Sequence, residues 1–222
     1  MSISLKIDFI SDVSCPWCII GLRALDQALE HLSDEVRAQI HFQPFELNPK
    51  MGAQGQDIFE HIAEKYGSTR EQYQANAENI RERGAELGFV FKQGERRIYN
   101  TFDAHRLLHW AEQEGKQKAL KEALFTAYFS HHAEVSSHKV LADVAQKVGL
   151  DRVRAEAVLT SGQYAAEVRE LEHLWVSRGV SSVPTIVFND HYAISGGQPV
   201  DVFVSAIRQI VSEQSSVIDP AP

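Results

Sequence analysis

The chain has 222 residues, 44% of them hydrophobic and 23% charged, enough for a real core in one large domain or in a compact domain carrying an insertion. Its formal net charge of −8 argues against a nucleic-acid binder, which presents a basic face. The opening MSISLKIDFIS lacks the basic and then long apolar regions of a signal peptide, and no apolar run approaches the roughly 18 residues of a membrane span. The expected compartment is the cytoplasm, with no membrane or nucleic-acid partner.

Ile3, Leu5, Ile7 and Phe9 alternate with Ser4, Lys6 and Asp8, which predicts a half-buried strand. Cys18, Leu22, Leu25, Leu29 and Leu32 then recur at helical spacing. A second strand is expected in AQIHFQPFELNP, closed by the turn signal Asn48-Pro49. Strand, helix and strand in this order form a βαβ unit with parallel strands. From about Gly55 to Leu159 the pattern changes to amphipathic helices: QDIFEHIAEKYG ending at Gly67, TREQYQANAENIRERGAELG, FDAHRLLHWAEQEG capped by Asn100 or Thr101, KQKALKEALFTAYFSHH, SHKVLADVAQKVG, and a short helix capped by Asp151.

The last part is mixed again. QYAAEVRELEHLWVSRG carries Val168, Leu171, Leu174 and Trp175 as an apolar stripe and stops at Gly179. VPTIVFNDHYAIS predicts a hairpin turning near Asn189-Asp190. Pro199 is placed as the first residue of a closing helix, with Val202, Phe203, Ile207, Ile210 and Val211 on its apolar face. Removing the middle block leaves a small mixed sheet with flanking helices. The predicted fold class is α/β, a thioredoxin fold with an all-helical domain inserted after the second strand. Residues 1–52 and 162–213 would form the discontinuous thioredoxin-like domain, 53–161 the helical insertion, and 214–222 a flexible tail.

The only two cysteines, Cys15 and Cys18, stand three apart in VSCPWCII, at the junction of the first strand and helix. Two cysteines placed at random fall at this spacing in roughly one chain in a hundred. Cys15 sits at the helix N-cap and Pro16 at N1, where proline is favoured. Free amides and the positive end of the helix dipole would face the Cys15 sulfur and favour its thiolate. Cys18, one turn on, would pack inward and stay protonated until needed. Cys15 can then attack a disulfide, and Cys18 can attack Cys15 to release the reduced product. Zinc usually takes four ligands, and there is no second cysteine pair, so no metal is expected. The other plain reading is a buried, inert pair. Pro184 in SSVPTIVF precedes a strand, where a proline costs no ladder hydrogen bond. A cis Val183–Pro184 bond beside Cys15 would present the Val183 backbone to an extended substrate.

CPWC after a first strand, FQPFELNP, NTFDAHRL, GVSSVPTIVFN and SGGQP together resemble the DsbA-like thioredoxin superfamily, and most of all its FrnE-type oxidoreductases. The resemblance runs from about Ile3 to Ile210. Relatives include 2-hydroxychromene-2-carboxylate isomerase and kappa-class glutathione transferases. The resemblance implies Cys15 as the exposed nucleophile, Cys18 as the resolving thiol, Pro184 as a cis-proline, and Asn48 and Pro49 near the active site. Pro16, Trp17 and Val183 complete the expected substrate surface. The glutathione-dependent isomerases resemble this chain around the helix start but typically carry serine at the Cys15 position, so the chain favours dithiol chemistry. The DsbA proteins that oxidise secreted chains have histidine where Trp17 stands, and a tryptophan adds no positive charge. The pair is therefore expected in the reducing half of the range of about −270 to −120 mV.

The expected function is a thiol–disulfide oxidoreductase acting on a disulfide-containing protein or a small thiol. No cofactor is expected to be tightly bound. Glutathione is a candidate substrate or reductant, and thioredoxin a candidate reductant. One rival is a glutathione-dependent isomerase or transferase; another is a peptide-binding module whose cysteines are bystanders. Self-association would be sought at exposed apolar residues of the helical block. His105 and His109 share a helix face but read better as a capped or solvated pair than as metal ligands. Arg96, Arg97 and Arg106 could hold a carboxylate, with a solvated face the plainer reading. Asp12 is a weaker candidate as a proton acceptor.

Overall fold

A computed structural model describes residues 2–52 and 54–218, with side chains as far as residue 213. The first strand, β1 (Ile3–Ser11), runs into helix α1 (Pro16–His31), and β2 (Val36–Pro44) returns parallel to β1, with Ile3 opposite Val36 and Ser11 opposite Pro44. The predicted hairpin is β5 (Thr185–Phe188) and β6 (Tyr192–Ser195), turning through Asn189 and Asp190, both at positive φ. β5 lies antiparallel to β1, giving one mixed sheet in the order β2-β1-β5-β6. β1 is therefore central. Leu5, Ile7, Phe9 and Ile10 on it are fully buried, as a strand covered on both faces requires.

β2 is an edge, and an open edge invites mispairing. Gln117 covers it. Its side-chain amide accepts from Phe42 N–H at 2.9 Å and donates to Phe42 C=O at 3.0 Å, as a neighbouring strand would.

Between β2 and the return to the sheet lie α2 (Ile58–Tyr66), α3 (Arg70–Glu86), α4 (Phe102–Gln113), α5 (Gln117–Phe125), α6 (His138–Lys147) and α7 (Arg152–Ser161). Asp57 caps α2 by accepting from the Phe59 and Glu60 amides, and Thr69 and Gln72 form a capping box on α3. This region is not wholly helical. A two-residue ladder joins β3 (Gln56–Asp57) to β4 (Arg97–Ile98), too short to leave a periodic signal. The helix expected over KQKALKEALFTAYFSHH ends at Phe125 and continues as a π-helical turn, Thr126–Ser130. That turn seats Tyr128 and Phe129 among the packed rings of Phe89, Phe91 and Phe125.

Helix α8 (Ala165–Ser177) buries Val168, Glu172 and Trp175 and leaves Leu174 exposed. Of the expected apolar stripe only Leu174 turns outward; Glu172 turns inward instead, to Arg169, which also binds Glu46. The closing helix α9 (Val200–Ile218) begins one residue after Pro199, which therefore stands just before the helix rather than as its first residue. Helix α9 also enters the segment 214–222 expected as a tail, of which 219–222 lie outside the described residues. Its Phe203, Ile207 and Ile210 pack into the same apolar core that holds Leu22 and Leu25 of α1 and Leu107, Leu124 and Leu141 from the helical region. Among the described residues no helix is long and apolar enough to cross a membrane.

Candidate active site

The loop between β1 and α1 is set by Asp12. Its carboxylate accepts from the Ser14 amide at 3.1 Å and from the Leu47 amide at 2.7 Å, and its own carbonyl accepts from Cys15 N–H at 3.2 Å. One buried side chain thus shapes the approach to CPWC and ties to it the segment leaving β2. Cys15 is the N-cap of α1, with extended backbone angles, and Pro16 follows at the start of the helix. The Val183–Pro184 peptide is cis, and the Cys15 Sγ donates to the Val183 carbonyl at 3.5 Å.

Two glycines bring these parts together. A Cβ on Gly21 would lie 3.2 Å from Pro184 Cγ, and one on Gly197 would lie 2.9 Å from the Trp17 carbonyl oxygen. The SGGQP stretch therefore packs its backbone directly on the first turn of α1, beneath Pro184.

Cys15 itself retains 4% of its surface. This corrects the exposed nucleophile that the resemblance implied: the sulfur is lodged between the helix start and Val183 and is reached through a cavity. Cys18 is fully buried. Burial, and after it the neighbouring Cys15, raises the Cys18 thiol well above the ordinary range. Both cysteines are free thiols.

The cavity has a volume of about 1,040 Å³ and opens over Cys15, Pro16, Trp17, Asn48 and Val183. Pro49 is exposed and not part of its lining, a second correction. The chain turns outward after Asn48, whose Met51 amide returns to the Asn48 carbonyl at 3.0 Å. Asn48 is held by the opposite wall. Its Oδ1 lies 2.9 Å from His61 Nε2 and accepts from Lys65 Nζ at 2.8 Å. His61 also meets Gln56 through Nδ1 at 2.9 Å, and burial together with the Lys65 charge lowers its pKa.

The arginines part company. Arg96 lines the cavity, its guanidinium 4.8 Å from the Tyr128 ring and 4.9 Å from the Phe129 ring. Arg97 donates to the Gln54 and Gly55 carbonyls. Arg106 is buried and binds Asp103 and the carbonyls of Val158, Leu159 and Gln163. It caps the end of α7 and does not form part of a solvated face. His105 is likewise buried, with Nε2 3.7 Å from Asp12 Oδ1, while His109 packs on Tyr164. Among the described residues no three metal-ligating side chains are grouped.

Two residues near the cysteines lie outside the sequence expectations. Glu46, beside the cavity, is buried and bonded to Asn100 and Arg169; burial raises its pKa despite that arginine. Lys121 of α5 is fully buried, and its charge interacts with Cys18, Asp12 and Cys15. The signal for Lys121 was present: it lies within the stripe Gln117, Leu120, Leu124, Phe125 that α5 turns to the core.

Two free thiols thus stand close together at a helix start, opposed by a proline loop. The DsbA-like thioredoxin domain matches residues 6–208, and the chain belongs to that family of thiol oxidoreductases. A probable DsbA oxidoreductase from Streptomyces coelicolor is similar over 92% of this chain and 89% of its own, with 32% identity and a TM-score of 0.88. The uncharacterized protein YwbO of Bacillus subtilis (strain 168) is 26% identical over 208 residues, 93% of this chain and 96% of the relative. The fold is shared with 2-hydroxychromene-2-carboxylate isomerase, at a TM-score of 0.70 and 16% identity over 96% of this chain and 98% of that one.

Proposed function

We propose that this chain is a cytoplasmic, FrnE-type protein-disulfide oxidoreductase that cycles Cys15 and Cys18 between dithiol and disulfide. The observation that carries the reading is the placement of Cys15: at the N-terminus of α1, 3.5 Å from the Val183 carbonyl beside Pro184, at the mouth of a large cavity. The positive end of the α1 dipole suits a negative sulfur there. The Cys15 thiolate attacks one sulfur of a substrate disulfide, and the other sulfur leaves as a thiolate. Cys18, deprotonated, then attacks Cys15 Sγ, the bond to the substrate breaks, and two electrons have passed to the substrate. The backbone at Val183 offers an edge for an extended substrate segment, with Pro16, Trp17 and Asn48 as side-chain contacts. In this reading residues 1–52 and 162–213 form the redox unit, while 53–161 supply the far wall of the cavity. Electrons are held by the cysteines themselves, so no bound cofactor is needed; thioredoxin or glutathione would restore the dithiol.

The test is reduction of insulin with dithiothreitol as electron donor. The wild-type chain should accelerate it, and Cys15→Ser should abolish the acceleration. Equal rates with Cys15→Ser would refute the reading.

The cavity favours a second reading. At about 1,040 Å³, with Lys65 and Arg96 in its walls, it would take a small anionic thiol such as glutathione, as an isomerase or transferase requires. Under that reading activity survives the loss of Cys18.

A further inference from the structure

His61 on α2 stands between two oxygens. Its Nε2 lies 2.9 Å from Asn48 Oδ1, and its Nδ1 lies 2.9 Å from Gln56 Oε1. Third parties fix which end of each amide it meets. Lys65 Nζ donates to the same Asn48 Oδ1 at 2.8 Å, and Gln56 Nε2 donates to Glu64 Oε2 at 2.7 Å. Both ring nitrogens therefore face acceptors, and only an imidazolium, with a proton on each, can donate to both. Asn48 lines the cavity over Cys15. With Oδ1 taken, and with Nδ2 bonded to nothing among the described residues, it is the nitrogen end of this amide that is open to a ligand.

The neutral ring cannot keep this arrangement. A lone pair at one nitrogen would then meet an oxygen at 2.9 Å. The Gln56 side resists turning, because its oxygen would be set against the Glu64 carboxylate. The Asn48 side yields more easily: Lys65 Nζ also donates to the Leu47 carbonyl at 2.9 Å and can release Asn48 without being stranded. Nδ1 therefore keeps its proton, and the amide of Asn48 rotates so that Nδ2 donates to Nε2 and Oδ1 turns outward. Leu47, with its amide on Asp12 and its carbonyl on Lys65, pins the backbone beside it, which confines the change to the Asn48 side chain.

We propose that His61 is a positioning residue whose protonation sets which end of the Asn48 amide meets the substrate; this rests on the dithiol reading above, in which Asn48 is a substrate contact. With the imidazolium, Asn48 offers N–H to a substrate carbonyl or carboxylate. With the neutral ring, it offers its oxygen to a substrate N–H. The charges acting on the ring are Lys65 and Glu64 on its own helix. Those of the neighbouring elements are engaged elsewhere. Arg97 of β4 binds the Gln54 and Gly55 carbonyls, Arg70 of α3 lies 4.1 Å from the Phe59 ring, and Arg81 pairs with Glu78. Asp57 caps α2, Arg96 lies against the Tyr128 ring, and Glu46 binds Arg169. Burial and Lys65, against Glu64, bring the His61 midpoint below the ordinary 6.5, so the change falls in mildly acidic solution.

The experiment is nitrogen NMR of the wild-type protein with labelled histidine and asparagine, followed from pH 5 to 8. Both His61 nitrogens should carry protons at the acid end and Nδ1 alone at the neutral end, and the Asn48 amide signal should move with the same midpoint. His61→Gln keeps a hydrogen-bonding side chain that does not titrate, so the Asn48 signal should no longer move. An Asn48 amide that ignores the His61 titration, or one that still titrates in His61→Gln, would overturn the proposal. The functional arm measures binding of a disulfide-bridged peptide, capped at both ends and free of His, Asp and Glu, to the Cys15→Ser protein, in which the nucleophilic thiol no longer titrates. Its Kd should change by about threefold or more between pH 5 and 8 and stay flat when His61→Gln is added; a flat Kd with His61 present would also overturn the proposal. If the peptide binds at no pH, the reading of a peptide disulfide as substrate fails, while the NMR titration still decides whether His61 turns Asn48.

Discussion

Replacing Lys121 with methionine should stabilise the reduced protein at neutral pH. The substitution keeps the length of the side chain and removes a buried charge without a hydrogen-bond acceptor. The size of the effect follows from the lysine midpoint, 10.5 in an ordinary setting and about 8 here. At about 1.4 kcal/mol for each pH unit between the two, carrying the proton costs the native state about 3 kcal/mol. The folded midpoint is the lower one. Between about 8 and 10.5 the unfolded chain therefore holds a proton that the native state has lost, and wild-type stability from this residue rises with pH across that window. Below it the full cost is present. Urea unfolding at neutral pH should place Lys121→Met at least about 3 kcal/mol above wild type, roughly 6 °C or more in melting temperature for a chain of this size. Near pH 10.5 the advantage should shrink towards the smaller cost of an unbonded amine, about 1–3 kcal/mol. A destabilised variant, or an advantage that does not change with pH, would refute the assignment of a strained buried amine.

Arg106→Met should lose about 3 kcal/mol or more in thermal or urea unfolding, because three carbonyls near the end of α7 and Asp103 lose their donor inside the fold. Gly197→Ala should destabilise by about 1–3 kcal/mol and slow disulfide reduction, since its Cβ would press on the Trp17 carbonyl at 2.9 Å and shift the start of α1; wild-type behaviour in both assays would contradict that packing. The redox potential, measured against a thiol buffer, should fall in the reducing half of the range of about −270 to −120 mV, and Trp17→His should raise it by placing an imidazolium beside Cys15.

Elements with a clean period were readable from the sequence. The alternation from Ile3 to Phe9, the stripe through Leu22, Leu25 and Leu29, and the Asn189-Asp190 turn correspond to β1, α1 and the β5–β6 hairpin. Pattern failed where polar side chains turn inward for a specific partner. Glu172 replaces Leu174 on the buried face of α8 because Arg169, which also pairs with Glu46, receives it there. Helix α4 buries Ala104, His105, Arg106, Leu107 and Leu108 in succession, so it has no solvated side on which His105 and Arg106 could lie. The β3–β4 ladder and the π-helical turn at Thr126 depend on tertiary contacts and leave no local period. At the site, residues near CPWC in sequence or quoted in the motifs — Pro16, Trp17, Asn48 and Val183 — do line the cavity. The residues that cross from the helical region, His61 and Arg96, are distant in sequence, and chain topology alone brings them to the cavity.

The most direct test of the account is mass spectrometry of Cys18→Ala after reaction with an oxidised protein substrate. The account predicts a stable adduct joining the substrate to Cys15, one per chain, with a single turnover, while wild type turns over many times and retains no adduct. Undiminished turnover by Cys18→Ala without any adduct at Cys15 would contradict it.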